Sequence, residues 1–276
     1  MDDLAALRLL AEWGADEALD EAPVDRFASR VPPRAETLQA GTSAEAAASP
    51  PGPAFTPARA PAPRPAATLA DAPGQARQAA DGIRSFEELH AALDAFAGCP
   101  LRATATSTVR PSGNPAAGTI VIAEAPGADD DRSGTAFAGP PGEMLDRVLA
   151  SIGLDRTGVL LTHLVPWRPP GNRAPSDAEV AACLPFLHRL LLLAAPRRLV
   201  LLGAAPARVM TGATDGIRRL RGRWLQAGPA ASFPGLAPPI PALPLLPMEQ
   251  WMRSATTKRD LWSDLLQLRQ SIDGTD

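Results

Sequence analysis

Residues 118–146 read GTIVIAEAPGADDDRSGTAFAGPPGEMLD. Their reading decides the fold. Residues 118–125 are an apolar run of strand length, rich in β-branched side chains. The run ends in the turn APGADDD, and the helical pattern PGEMLDRVLASIGL (141–154) follows. A strand, an acidic turn and a helix make one unit of an α/β chain. Four carboxylates, Glu124, Asp129, Asp130 and Asp131, crowd the turn. That is too much negative charge for a phosphate cradle. Carboxylates at a strand end suit the activation of water or the binding of a metal.

The same alternation continues outward. GVLLTHL (158–164), RLVLLG (198–203) and the Pro-rich IPALPLL (240–246) read as three more strands. Helical stretches intervene: SFEELHAALDAF, with Ser85 and Glu88 as a capping box, and DAEVAACLPFLHRLLLLA, with Ser176 as N-cap. AAPARVMTG follows the third strand, and TTKRDLWSDLLQLRQ closes the chain. This order predicts an α/β fold, a three-layer α/β/α sandwich around a short, mostly parallel four-stranded sheet. Such sheets bind ligands beyond the C-terminal ends of their strands. The loops after residues 124, 163, 203 and 246 are therefore expected to converge.

The chain has 276 residues, 45% of them hydrophobic, and a formal charge of −3. That is apolar material enough for a core, and it excludes a histone-like polycation. Of the 27 basic residues only Lys258 is a lysine, so any phosphate contacts fall mainly to arginine. Two cysteines, Cys99 and Cys183, make no disulfide scaffold and no CxxC. No apolar run is long enough to span a membrane. The N-terminus is acidic and amphipathic, unlike a secretory signal, and a cytoplasmic location is expected.

Three segments are expected. Residues 1–25 carry an amphipathic helix, with Leu4, Leu7, Leu10 and Trp13 at helical spacing. It either packs on the main domain or docks a partner. Residues 26–82 read as a disordered Ala/Pro-rich linker, too poor in bulky apolar residues to offset their chain entropy. Residues 83–272 are the globular domain.

Four ordered motifs of that domain resemble family 4 uracil-DNA glycosylases. The acidic loop 123–146 is similar to GEAPGxxED…GxPFVGxxGxLLD, and THLVPWRPPGNRAPSDAEVAAC (162–183) to TNxVKxRPPxNRxPxxxEIxxC. LVLLGAAPARVMTG (199–212) and IRRLRGRW (217–224) follow in register with LxALGxxAAxxLLG and IxxLRGxW. The resemblance implies a uracil-DNA glycosylase-like domain that cuts the base–sugar bond of an extruded uracil. The protein would work in DNA repair as a monomer on uracil-containing DNA, single- or double-stranded. It implies Glu124 or Asp130 as the carboxylate that positions water. Phe137 would stack on the base, in a pocket walled by Ala125, Pro126 and Gly127. Arg168, Arg173, Arg219, Arg221 and Arg253 would meet the DNA backbone.

The departures from that pattern bear on activity. The family's second motif begins HP; here its His position holds Pro247, followed by Met248, Glu249, Gln250, Trp251, Met252 and Arg253. Proline has no donor to offer a departing uracil anion. One such donor is worth on the order of 10²–10³ in rate. His163 stands where the family has Asn. It is a satisfied polar residue, a relocated electrophile or a reader of a different base. Many members bind a [4Fe-4S] cluster through four cysteines. Cys99 and Cys183 occupy two of those positions, Phe96 and Trp167 the other two, so no cofactor and no metal are expected. The expected activity is therefore weak base excision. The alternative is a non-catalytic relative that binds DNA or a damaged base, or an interaction protein working through residues 1–82.

Overall fold

In a computed structural model the structure describes residues 71–228 and 239–274. The expected helix at residues 1–25 and most of the expected linker lie outside them. The four expected strands form: β2 (Thr119–Ala123), β3 (Leu160–His163), β4 (Arg198–Leu202) and β6 (Ile240–Leu245). They run parallel in the order β3-β2-β4-β6. Two short antiparallel strands, β1 (Ser112–Gly113) beside β3 and β5 (Leu225–Ala227) beside β6, extend the sheet to six. The expected count of four is corrected accordingly. Strands of two and three residues are too short to show a period-2 pattern.

Alternation along the buried strands sorts the core into two halves. Ile120, Ile122, Leu199 and Leu201 point to one face. There they meet Leu89 and Leu93 of α2 (Phe86–Ala95) and Leu187, Leu190 and Leu191 of α6 (Asp177–Ala194). Val121, Val200, Leu202, Leu243 and Leu245 point to the other. They pack on Leu145, Val148 and Leu149 of α5 (Gly139–Ala150) and on Leu261, Leu265 and Leu268 of α10 (Ala255–Asp273). The result is the three-layer sandwich that continuous apolar strands require. The remaining helices are short: α3 (Leu101–Thr104), α4 (Ala128–Ser133), α7 (Ala204–Thr211), α8 (Ile217–Leu220) and α9 (Met248–Trp251). Among the described residues no helix is long and apolar enough to cross a membrane.

One segment departs from its composition. Ala72–Ala80 forms helix α1, which packs along α6. The linker expected to run to residue 82 therefore does not include these nine residues. Ala72, Ala76 and Ala80 lie at four-residue spacing and are buried. A stripe of small side chains buries area through close approach rather than bulk, which an apolar-content argument does not register. Arg189 of α6 donates from Nε to the Ala80 carbonyl at 2.9 Å, satisfying an end group of α1.

Candidate active site

The cleft opens where the parallel strands end. Its floor and walls come from Glu124–Gly127 after β2, His163 at the end of β3, the loop 169–175, Leu202 of β4, and Pro247–Glu249 after β6. The cleft volume is about 620 Å³. The convergence expected from the strand order is observed.

The acidic loop owes its shape to two carboxylates. Asp130 accepts from Gly127 N–H at 2.9 Å and from Ala138 N–H at 2.7 Å, so one side chain clasps both ends of the loop. Asp131 accepts from Thr106 and Ser107 N–H at 2.8 and 3.1 Å and ties the loop to the segment before β1. Asp130 was expected beside Glu124 as a water-positioning acid. It lines the cleft, but both its oxygens already serve the backbone. Glu124 and Glu249 are the cleft carboxylates whose side chains make no hydrogen bond among the described residues; Glu124 is the one on the acidic loop. Burial pushes its carboxyl up, the charge of Glu249 adds to the rise, and Arg208 opposes it.

Phe137 sits at φ 56°, a left-handed backbone that costs a bulky residue on the order of 1 kcal/mol. Two neighbours hold it there. Arg156 donates from Nη2 to the Phe137 carbonyl at 2.7 Å. Gly142 lies beneath that carbonyl, and a Cβ at residue 142 would collide with its oxygen. The ring of Phe137 stacks on His163, with centroids 4.9 Å apart and planes 13° apart. Both side chains are buried at the cleft. His163 Nε2 lies 3.5 Å from Asp130 Oδ2. Burial outweighs that neighbouring charge and pushes the imidazole down to about 4, so it is neutral at neutral pH. A proton on Nε2 faces the carboxylate favourably, which leaves Nδ1 as an acceptor.

The five arginines expected at DNA separate in the structure. Arg173 lines the cleft, but Nη1 and Nη2 are bonded to Glu179 at 2.8 and 2.6 Å. That pairing holds the Glu179 carboxyl down at about 2. Arg168 donates to Asn172 Oδ1 at 2.7 Å. Arg221 is a correction. Its guanidinium turns inward to Asp264 at 2.6 and 3.0 Å and to Asp260, so it ties α8 to α10 rather than facing solvent. Asp264 is itself buried, and a buried carboxylate needs that partner. Arg219 is 82% exposed, and Arg253 is exposed on the rim with Nε on the Glu249 carbonyl.

Cys99 and Cys183 lie side by side, buried and free. Burial pushes the Cys183 thiol well up. Phe96 stacks on Trp167 at 6.3 Å and meets Phe186 edge-on at 5.0 Å. The donor set of a cubane cluster, four thiolates, does not fit these residues. Among the described residues no group of three or more His, Cys, Asp or Glu side chains is placed to hold a metal ion. Glu249 is a cleft residue outside the expected site, and its charge reaches Glu124. Its available signal was position alone, two residues past Pro247 on the loop after the last parallel strand.

A mostly parallel sheet with carboxylates and two stacked rings at its C-terminal edge makes this an α/β domain whose cleft lies where such folds bind ligands. The family model of the uracil DNA glycosylase superfamily matches residues 110–265, more than half of the chain. The chain belongs to that superfamily. It is 36% identical over 125 residues to a type-4 uracil-DNA glycosylase of Pyrobaculum aerophilum, covering 45% of this chain and 64% of the relative. A type-4 uracil-DNA glycosylase of Archaeoglobus fulgidus is 39% identical over 117 residues, 42% of this chain and 59% of its own. That of Thermotoga maritima is 34% identical over 131 residues, 46% and 68% respectively. The match thus spans about three-fifths of the first two relatives.

Proposed function

We propose that the chain hydrolyses the base–sugar bond of a nucleotide extruded from DNA, and that uracil is a poor substrate for it. The observation that carries this reading is the cleft itself. Its lining includes the Glu124 carboxylate and the stacked Phe137 and His163 rings, and also Pro247, which stands where the motif has its histidine. Glu124 positions the attacking water, and the rings receive the base. His163 does not replace the missing electrophile, because its Nε2 proton is directed at Asp130. The uracil anion then departs without the donor that a histidine at position 247 would supply, which weakens its excision by on the order of 10²–10³.

The remaining parts of the reading follow the same residues. Arg168, Arg219 and Arg253 meet the phosphates, whereas Arg173 and Arg221 shape the domain. No iron–sulfur cluster is held, because rings fill the space of two missing ligands; iron content and visible absorbance of aerobically purified protein test this. The protein acts as a cytoplasmic monomer. A non-catalytic, damage-binding role is the second reading, and Pro247 is the observation that favours it.

One assay separates them. Single- and double-stranded oligonucleotides carrying one uracil are incubated with the protein and scored for alkali-labile sites and for a native gel shift. Slow cleavage, abolished by Glu124→Gln and raised by the combined change Pro247→His, Met248→Pro and Glu249→Ser, is the expected result. A uracil-dependent shift without cleavage in any variant would establish the binder instead.

A further inference from the structure

The charge of the cleft bears on which base it releases. Three carboxylates line it: Glu124, Asp130 and Glu249. Glu249 stands on the first turn of α9, and its charge reaches Glu124. The cations nearby offset them only in part: Arg208 opposes the rise at Glu124, but each nearby cation has a carboxylate of its own. Arg173 is neutralised by its two bonds to Glu179, and Arg208 pairs with Asp177 at 2.8 Å. His163 carries no charge at neutral pH, and Pro247 contributes none. The rings of Phe137 and His163 add π-faces, which attract cations rather than anions.

A leaving base feels this field. Uracil departs as an anion, and three carboxylates oppose that charge where Pro247 supplies no side-chain donor. A base alkylated on a ring nitrogen, such as 7-methylguanine, is a cation while attached and departs neutral. We propose that the preferred substrate is a cationic, N-alkylated purine in DNA. This rests on the base-excision reading of the same cleft. In the reaction the oxygen of water forms a bond to C1′ and the C1′–N9 bond breaks. Its electron pair passes into the purine and cancels the positive charge of the methylated ring. The proton of water goes to the Glu124 carboxylate and from there to solvent. The cleft carboxylates hold the cation in place and favour the sugar cation that develops beside it. The leaving group needs no donor, so Pro247 carries no penalty for this substrate.

Full-length protein is incubated with methylated duplex DNA and, separately, with uracil-containing duplex, and released bases are resolved by chromatography against enzyme-free controls. The expected result is faster release of 7-methylguanine than of uracil. Glu249→Gln should shift the ratio of the two rates toward uracil by on the order of tenfold, the scale of one unit charge in a partly shielded cleft. Faster release of uracil by the unaltered protein would overturn the preference while leaving base excision standing. So would a ratio unmoved by Glu249→Gln in a variant that unfolds at the same urea concentration as the unaltered protein. Release of neither base overturns the inference as well. In that case uracil excision by the Pro247→His triple variant shows that the cleft is still a base pocket, whereas its failure removes the base-excision reading too.

Discussion

Lowering the pH should destabilise this domain through His163, and the size of the effect follows from its burial. The imidazole is pushed from an ordinary value of 6.5 to about 4 in the folded chain. The folded value lies below the unfolded one, so below about pH 6.5 the unfolded chain binds the proton and the folded chain does not. Stability therefore falls as pH falls through this window, and the loss is complete below about 4. Between about pH 7 and pH 5 the two titration curves differ by about 2 kcal/mol. Replacing the side chain with one that does not titrate, His163→Asn, removes that contribution and leaves the other groups in place. Urea unfolding of both proteins at the two pH values isolates it, because the other acid-sensitive groups, Glu179 among them, cancel in the double difference. The unaltered chain should lose more of its urea midpoint than the variant, by on the order of 1 M. Equal losses in the two proteins would mean that His163 is not buried neutral against Phe137, and the tautomer argument for its role would fall with it.

Four further outcomes are expected. Gly142→Ala drives a methyl into the Phe137 carbonyl; it should cost about 3 kcal/mol in urea unfolding and abolish lesion-dependent gel shifts, since the stacking ring is displaced. Arg221→Ala strands the buried Asp264 and should cost about 3 kcal/mol. Arg219→Ala should leave stability within about 0.5 kcal/mol yet weaken DNA binding for every sequence, lowering the salt slope by about 1. Ala76→Leu forces bulk between α1 and α6 and should cost about 1–3 kcal/mol, read by thermal unfolding, as expected if the domain begins before residue 82.

Much of the architecture was legible because its signals are local. Apolar runs of strand length, capping residues such as Ser85 and Ser176, and the alternation of strands with helices are written in neighbouring residues, and both caps form. The converging loops followed from strand order alone. α1 escaped because close packing of alanines depends on a partner helix a hundred residues away. β1 and β5 escaped because they exist only through pairing with longer strands.

Within the site the division is similar. The acidic loop, Phe137 and the loss of the donor at Pro247 could be read directly, since each is a matter of which residue stands at which place. That Asp130 is spoken for could not, because it is engaged by backbone groups on both sides of its loop. Nor could the fate of five arginines that look alike in the sequence: Arg221 is claimed by carboxylates about forty positions away, while Arg219, two residues before it, stays in solvent. The residue types alone determined the family and the lost donor. Only the tertiary structure decided the charge of the cleft and the neutrality of His163, because both are set by distance and burial among residues that the chain keeps far apart.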